Sequence, residues 1–221
     1  MAADTPIRVV LADDEALLRH GLRVLLTASG RIDVVAEAGD GAAAVAAVRE
    51  HRPDVLLLDV QMPGTDGLAA LRELAHLPVA VAILTTFDLD DYVSRALELG
   101  AAGFLLKDAD PDTLIRAVTD LAAGGAVLDP RITARLLPRL RGAGLSLRRA
   151  QAIDSLSVRE RQVLDQMADG RANAAIAQLL GLTEATVKSY VSQVLTKLGV
   201  HNRVQAALLV HGVDVLAEDR R

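Results

Sequence analysis

The sequence predicts two domains, an α/β domain on a five-stranded, doubly wound parallel sheet and a small all-α domain after it. Short apolar runs alternate with longer helical patterns five times in the first half of the chain, as strands and crossover helices do. Several runs are continuously apolar, as in parallel sheets that helices cover on both faces. The charge also divides the 221 residues: positions 1–125 carry a net charge of −10, and positions 126–221 carry +5. Two charge regimes indicate two domains with different partners.

The predicted sheet domain spans residues 1–126. Its strands are expected at 7–12, 33–38, 55–58, 79–84 and 103–106, and its helices at 15–29, 42–51, 68–75, 90–99 and 112–123. Glycine or proline follows four of these helices where the helical pattern stops, at Gly30, Pro53, Pro78 and Gly100. Ligands of such sheets bind beyond the carboxyl ends of the strands, so the residues there are the candidate site.

A linker is predicted at residues 127–154. Pro130, Pro138, Gly142 and Gly144 interrupt the regular pattern there. Within the linker, only residues 132–140 are apolar enough for a short helix.

The second domain is predicted at residues 155–221. Ser157 and Glu160 match a capping box, so a helix is expected at 157–169. Further helices are expected at 173–180, at 184–198 with Thr183 as its cap, and at 204–210. Helices joined by a short glycine turn suggest a DNA-binding helix-turn-helix, although other small helical domains share this organisation.

Composition excludes several classes of protein. The chain has no cysteine, which excludes disulfides, thiolate zinc sites and cysteine nucleophiles. A hydrophobic fraction of 51 % can support a packed core. No uncharged apolar run approaches the roughly 18 residues of a membrane span, and the N-terminus lacks a signal peptide's basic and apolar regions. We therefore expect a cytoplasmic protein.

Polar side chains follow four of the predicted strands: Asp13 and Asp14, then Asp59, Thr85 and Lys107. Two carboxylates about 4 Å apart repel each other by about 4 kcal/mol at an effective dielectric constant of about 20. A cation must therefore compensate their charge. Lys107 supplies one positive charge for three carboxylates. Hard oxygen donors without histidine favour Mg²⁺, so the sequence predicts a magnesium site at this edge of the sheet.

The segments VVLADDEALLR, LLLDVQMPGTDG, AILTTF and GFLLKD resemble the receiver domain of bacterial two-component response regulators, which has a flavodoxin-like fold. The resemblance covers residues 8–123 and implies that Asp59 accepts a phosphoryl group from a sensor histidine kinase. The remaining roles that it implies are Mg²⁺ binding by Asp13, Asp14, Asp59 and the Gln61 carbonyl, and switching or phosphate binding by Thr85, Phe104 and Lys107. Many receivers have proline where Asp108 stands, which leaves the isomer of the Lys107–Asp108 peptide open.

Residues 156–209 resemble the LuxR-type helix-turn-helix, mainly through ATVKSYV and KLGVHNR. Together with the receiver, they make the chain similar to the NarL/FixJ-type response regulators. The resemblance implies that helix 184–198 enters the major groove of promoter DNA, with Thr186, Lys188, Ser189, Ser192 and Lys197 as candidate contacts. It also implies pairing of two copies through Val204, Ala207 and Leu208. Ala175 and Tyr190 stand where the family usually has glutamate and histidine.

These features predict a DNA-binding transcription factor, not a stand-alone enzyme, that Mg²⁺-dependent phosphorylation of Asp59 activates through a homodimer. The alternative is a phosphorylation-independent DNA-binding protein whose receiver is only an interaction module. Two other interpretations are weaker. Gly39, Gly41 and Ala44 match a dinucleotide fingerprint, but they follow the second strand and lie near the acidic cluster. A dehalogenase-type phosphatase has a second aspartate two positions after the first, where this chain has Gln61.

Overall fold

The chain divides into two compact units, Met1–Ala122 and Ala123–Arg221. The computed structural model describes residues 5–85, 90–129, 131–132 and 147–211. Among these residues, no helix is both long and apolar enough to cross a membrane.

A parallel sheet forms the centre of the first unit. Five of its strands lie in that unit: β1 (Ile7–Ala12), β2 (Ile32–Ala38), β3 (Val55–Asp59), β4 (Ala80–Thr85) and β5 (Gly103–Leu106). The short sixth strand, β6 (Val127–Leu128), lies after the boundary at Ala122. The strand order is β2-β1-β3-β4-β5-β6, and the four pairs among β1 to β5 are parallel. The predicted α/β fold is confirmed, but the sheet has six strands and not five. With two residues, β6 is too short to produce a recognisable pattern, and it falls where we predicted the start of the linker.

The helices of the first unit are α1 (Ala16–Ala28), α2 (Gly41–His51), α3 (Gly67–Leu74), α4 (Asp90–Glu98) and α5 (Pro111–Ala122). Each begins and ends within one residue of the predicted bounds. Local capping explains this agreement at two of the helix starts. The side chain of Asp40 accepts from the N–H of Ala43 across 2.8 Å, and that of Asp66 accepts from the N–H of Ala69 across 2.7 Å.

Strand β3 lies between β1 and β4 and is buried along its whole length. In the register of the sheet, Asp59 pairs with Leu84 of β4, and Thr85 pairs with Leu106 of β5. Because these strands are parallel, their last residues meet at the same edge of the sheet. This edge is where the polar residues after the strands come together.

Five helices are described in the second unit: α6 (Leu147–Asp154), α7 (Val158–Ala168), α8 (Asn173–Leu180), α9 (Glu184–Leu198) and α10 (Arg203–Val210). The predicted capping box is present, since Ser157 accepts from the N–H of Glu160 and donates its own N–H to the Glu160 carboxylate. Thr183 caps α9 by accepting from the N–H of Thr186. The shared core includes Val163, Leu164, Met167, Ile176, Val187, Val194, Leu198 and Leu209.

The predicted linker is described only in part. Helix α6 occupies residues 147–154, at the end of the segment, where no helix was predicted because half of the stretch LRRAQAID is polar. Beyond Ile132, the short helix predicted at 132–140 lies outside the described residues.

Candidate functional site

The sheet brings the predicted site residues of the first unit to one edge. Asp13 follows β1 directly, Asp59 and Thr85 end β3 and β4, and Lys107 follows β5 directly. The backbone N–H of Lys107 donates to the carbonyl of Thr85 across 2.9 Å, which places Lys107 beside the end of β4. An open pocket at this edge is lined by Asp14, Glu15, Asp59, Gln61 and Lys107.

The ammonium group of Lys107 is at the centre of this edge. Its Nζ atom lies 2.8 Å from Oδ2 of Asp13 and 2.8 Å from Oδ2 of Asp59. The side chains of these two aspartates are only 1 % and 4 % exposed. A third carboxylate, that of Glu15, lies 3.2 Å from the same ammonium but is largely exposed. Lys107 is therefore the shared counter-ion of two buried carboxylates and one exposed carboxylate.

Burial and pairing act in opposite directions on the charged groups. Burial raises the pKa of the Asp59 carboxyl above its usual value, while the hydrogen bonds from Lys107 and the Gln61 N–H partly oppose this increase. For Lys107, burial favours the neutral amine, but the hydrogen bonds to Asp13 and Asp59 outweigh it, so the pKa lies above its usual value. Lys107 therefore stays positively charged in the folded protein at neutral pH.

Asp13, Asp14 and Asp59 can converge on one metal ion. Each offers a carboxylate oxygen, and these oxygens lie within 4.8 Å of one another. Asp13 and Asp59 are buried and Asp14 is exposed, so the group is open to solvent on one side. Carboxylate oxygens with access to water suit Mg²⁺, which keeps several water ligands. A dication also balances the charge of three carboxylates better than Lys107 alone.

The backbone next to Asp59 is held by a close approach to α3. Oδ1 of Asp59 accepts from the N–H of Gln61 across 3.1 Å, and the N–H of Gly67 donates to the carbonyl of Val60 across 3.0 Å. A Cβ atom at Gly67 would lie 2.2 Å from the Asp59 carbonyl oxygen. Position 67 therefore requires glycine so that α3 can approach the end of β3.

Two residues near the site were not among the predicted ones. Glu15 contacts Lys107 directly, and Arg19 donates through Nη1 to the backbone carbonyl of Asp13. Arg19 is itself oriented by Glu37 of β2, whose Oε2 lies 3.6 Å from its Nε. Glu15 is the next residue after the predicted pair of aspartates, and Arg19 lies one helical turn later. This proximity in sequence is the signal that could have identified them.

Thr85 and Phe104 are both buried. Thr85 ends β4, and Phe104 lies within β5 with no exposed surface. The Lys107–Asp108 peptide, whose isomer the sequence left open, is trans.

The candidate DNA contacts lie on α9 and differ in their surroundings. Lys188, Ser189, Ser192 and Lys197 are exposed, and Thr186 is partly exposed. The side chain of Lys188 is 64 % exposed and pairs across 3.6 Å with Glu184, which is 47 % exposed. Lys197 instead pairs across 2.7 Å with Glu160, a buried residue of α7. The two lysines therefore differ in how readily they can bind another anion.

The candidate dimerisation residues lie on α10. Val204 is 1 % exposed, Leu208 is 7 % exposed and Ala207 is partly exposed. The two larger apolar side chains are thus buried.

Comparison with known proteins identifies both units. Residues 9–119 match the response regulator receiver domain, and residues 154–210 match the luxR family of bacterial regulatory proteins. The chain belongs to the NarL/FixJ-type response regulators. It therefore combines a receiver domain with a LuxR-type DNA-binding domain, as transcriptional regulators of two-component systems do.

Relatives of this response regulator match it over nearly the whole chain. The DNA-binding transcriptional activator DevR/DosR of Mycobacterium tuberculosis is 40 % identical over 204 residues, which cover 91 % of this chain and 93 % of that protein. The crystal structure of the response regulator ChrA of a heme-sensing two-component system is 38 % identical, with a TM-score of 0.53, and covers 93 % of this chain and 96 % of that one. A structure of two RcsB dimers bound to two parallel DNAs is 26 % identical, with a TM-score of 0.56 and coverage of 94 % and 98 %.

The segment that matches a dinucleotide fingerprint, at Gly39 and Gly41, has a structural role in this response regulator. Asp40 caps α2, and a Cβ atom at Gly41 would lie 2.5 Å from the carbonyl oxygen of Thr65. Gly41 is therefore required where α2 approaches the loop before α3. The departure at Tyr190 also has a structural explanation, because this side chain packs partly buried against the helical core of the second unit.

Proposed function

We propose that Asp59 is the phosphoacceptor of this response regulator and that its phosphorylation by a sensor histidine kinase controls binding to promoter DNA. The observation that carries the proposal is the convergence of Asp13, Asp14 and Asp59 at the carboxyl edge of the sheet, where the ammonium of Lys107 contacts Asp13 and Asp59. Phosphoryl transfer needs positioning and charge compensation more than acid–base groups, and this edge offers both.

In the proposed reaction, a carboxylate oxygen of Asp59 attacks the phosphorus of a phosphohistidine on the kinase. A P–O bond to Asp59 forms as the P–N bond breaks, and the electron pair returns to the imidazole nitrogen. Asp13, Asp14 and Asp59 would hold Mg²⁺ with the backbone carbonyl of Gln61, and the ion would neutralise part of the phosphoryl charge. Lys107, which contacts Asp59 across 2.8 Å, would bind a phosphoryl oxygen.

The same proposal assigns the response to phosphorylation to Thr85 and Phe104. Thr85 ends the strand next to Asp59, so its hydroxyl would turn toward the new phosphoryl oxygen. Phe104 is fully buried in β5, the strand that pairs with β4 at Thr85 and Leu106. Movement of Thr85 would therefore change the packing around Phe104 and the surface next to β4 and β5.

For the second unit, we assign the major-groove contact to α9 and its polar residues Thr186, Lys188, Ser189 and Ser192. Two copies would pair through Val204, Ala207 and Leu208 of α10 and place two recognition helices in successive major grooves. The RcsB relative, bound to DNA as dimers, supports DNA binding by two copies of the chain. Val204 and Leu208 are buried, so pairing through α10 requires that their side chains become accessible.

Labelling tests the phosphoacceptor directly. The full-length protein is incubated with Mg²⁺ and a small acyl phosphate, and the phosphorylated fraction is measured on phosphate-affinity gels. Wild type and Asp112→Asn, which changes an exposed acid of α5, are expected to be labelled, and Asp59→Asn is not. Equal labelling of Asp59→Asn would exclude Asp59 as the acceptor.

Sedimentation and DNA-binding measurements then test whether phosphorylation regulates dimerisation and DNA binding. Phosphorylated wild type is expected to sediment as a dimer and to bind duplex DNA more tightly than the unphosphorylated protein. Identical affinities for both forms and for Asp59→Asn would support the alternative, in which the receiver is only an interaction module.

A further inference from the structure

An ion pair joins two helices of the DNA-binding domain. Lys197 lies in the last turn of α9, and its Nζ atom donates to Oε2 of Glu160 across 2.7 Å. Glu160 lies in the first turn of α7, 37 residues earlier in the chain. The pair therefore connects the end of one helix to the beginning of another.

The carboxylate of Glu160 is enclosed by its partners. Its side chain is 5 % exposed, and it accepts from the N–H of Ser157 across 2.7 Å in addition to Lys197. The hydrogen bonds from Lys197 and Ser157 lower the pKa of Glu160 to about 2. Glu160 is therefore ionised at neutral pH and needs its counter-ion.

Lys188 offers a matched contrast on the same helix. Lys188 and its partner Glu184 are 64 % and 47 % exposed, so transfer of this lysine to a DNA phosphate leaves Glu184 in water at little cost. Transfer of Lys197 to a phosphate would leave the ionised Glu160 buried without a cation, which is strongly unfavourable. Separation of the lysine from its carboxylate partner therefore costs less free energy at Lys188 than at Lys197.

We propose that Lys197 is a positioning residue that fixes the orientation of α9 on α7 through Glu160, and that it does not contact DNA phosphate. The two helices also share a core that includes Val163 and Val194, but apolar contacts are not directional. The ion pair adds a contact of defined geometry, which sets the angle at which α9 presents Lys188. This role rests on the proposed entry of α9 into the major groove.

Salt dependence of binding distinguishes a phosphate contact from a positioning contact. Each phosphate contact contributes about 0.9 to the slope of log K against log salt concentration. The affinity of the full-length chain for a labelled duplex of arbitrary sequence is measured at several salt concentrations. Lys188→Met is expected to lower the slope by about 0.9, whereas Lys197→Met weakens binding roughly fivefold and leaves the slope unchanged.

Substitution of the carboxylate partners distinguishes a positioning role from a phosphate contact, because the two roles predict opposite changes in DNA affinity. For a positioning role, Glu160→Gln weakens binding about as much as Lys197→Met, and the double variant binds no more weakly than either single variant. For a phosphate contact, Glu160→Gln frees Lys197 and strengthens binding, as expected for Glu184→Gln at Lys188. Tighter binding by Glu160→Gln, or a slope lowered by about 0.9 in Lys197→Met, overturns the proposal. An unchanged slope in Lys188→Met contradicts instead the proposed contact of Lys188 with DNA.

A measurement on the wild-type chain does not depend on the folding of any variant. The sequence contains three lysines, Lys107, Lys188 and Lys197, so their side-chain ammonium resonances form a small set. When the duplex is added, the signal of Lys188 is expected to shift and that of Lys197 to stay unchanged. A shift of the Lys197 signal as large as that of Lys188 overturns the proposal.

Discussion

The Nζ atom of Lys107 lies 2.8 Å from Oδ2 of Asp59, so the proposed phosphoacceptor already has a cationic partner in the unphosphorylated protein. In the proposed reaction, Lys107 exchanges this carboxylate oxygen for an oxygen of the phosphoryl group. The contacts of Lys107 with Asp13 and Glu15 keep the ammonium at the site during that exchange.

Replacement of Lys107 by methionine is expected to destabilise the receiver domain. The change leaves the buried Asp13 and Asp59 without their shared cation and lowers the free energy of unfolding by about 3 kcal/mol. Added Mg²⁺ restores more stability to the variant than to wild type, because it supplies positive charge. Urea unfolding with and without Mg²⁺ measures both effects. Lys188→Met, at an exposed pair, is the control, and an equal midpoint for Lys107→Met and wild type would contradict the prediction.

Alanine at Gly67 is expected to displace the end of β3. The added Cβ would lie 2.2 Å from the Asp59 carbonyl oxygen, a backbone atom that cannot move independently. We expect a loss of about 2 kcal/mol in unfolding free energy and slower phosphorylation by acyl phosphate. Gly21→Ala in α1 is the matched control, because its Cβ meets nothing within 4 Å, and it should stabilise the protein by about 0.5–1 kcal/mol. Similar effects of the two substitutions would show that the close approach is unimportant.

Arg19→Gln is expected to weaken Mg²⁺ binding about tenfold, because Arg19 holds the backbone of Asp13 and partners of metal ligands commonly have effects of this size. Arg23→Gln is the control, since Arg23 pairs with the same Glu37 across 2.9 Å and, within the described part of the chain, forms no hydrogen bond with Asp13. Calorimetric titration with Mg²⁺ measures both variants. Equal Mg²⁺ affinity of Arg19→Gln and Arg23→Gln would show that Arg19 does not help to position the metal ligands.

The DNA-binding domain is expected to lose stability in acid as Glu160 becomes protonated. The hydrogen bonds from Lys197 and Ser157 lower the pKa of Glu160 from its ordinary 4.5 to about 2 in the folded protein. The stabilisation from this lowered pKa is complete above 4.5 and disappears as the pH falls from 4.5 toward 2. Thermal unfolding of wild type and Glu160→Gln across this range should give curves that converge in acid. A stability difference that is constant with pH would exclude this role of Glu160.

Local sequence signals predicted most element bounds because the interactions behind them span only a few residues. The box of Ser157 and Glu160 and the cap at Thr183 lie within one helical turn, and both are present in the structure. The motif residues Asp13, Asp59 and Lys107 were predictable as one cluster because parallel strands place their carboxyl ends at one edge. The two-residue strand β6 was missed because it is too short to have a pattern.

The sequence by itself determined the two-domain organisation, the family and the identity of the residues at the edge of the sheet. Only the tertiary structure decided which groups pair. Lys107 contacts Glu15, 92 residues away, and Lys197 contacts Glu160, 37 residues away. The physical reason is that hydrophobic periodicity and capping report the conformation of adjacent residues, whereas an ion pair forms wherever the packing of helices and strands brings opposite charges within about 4 Å.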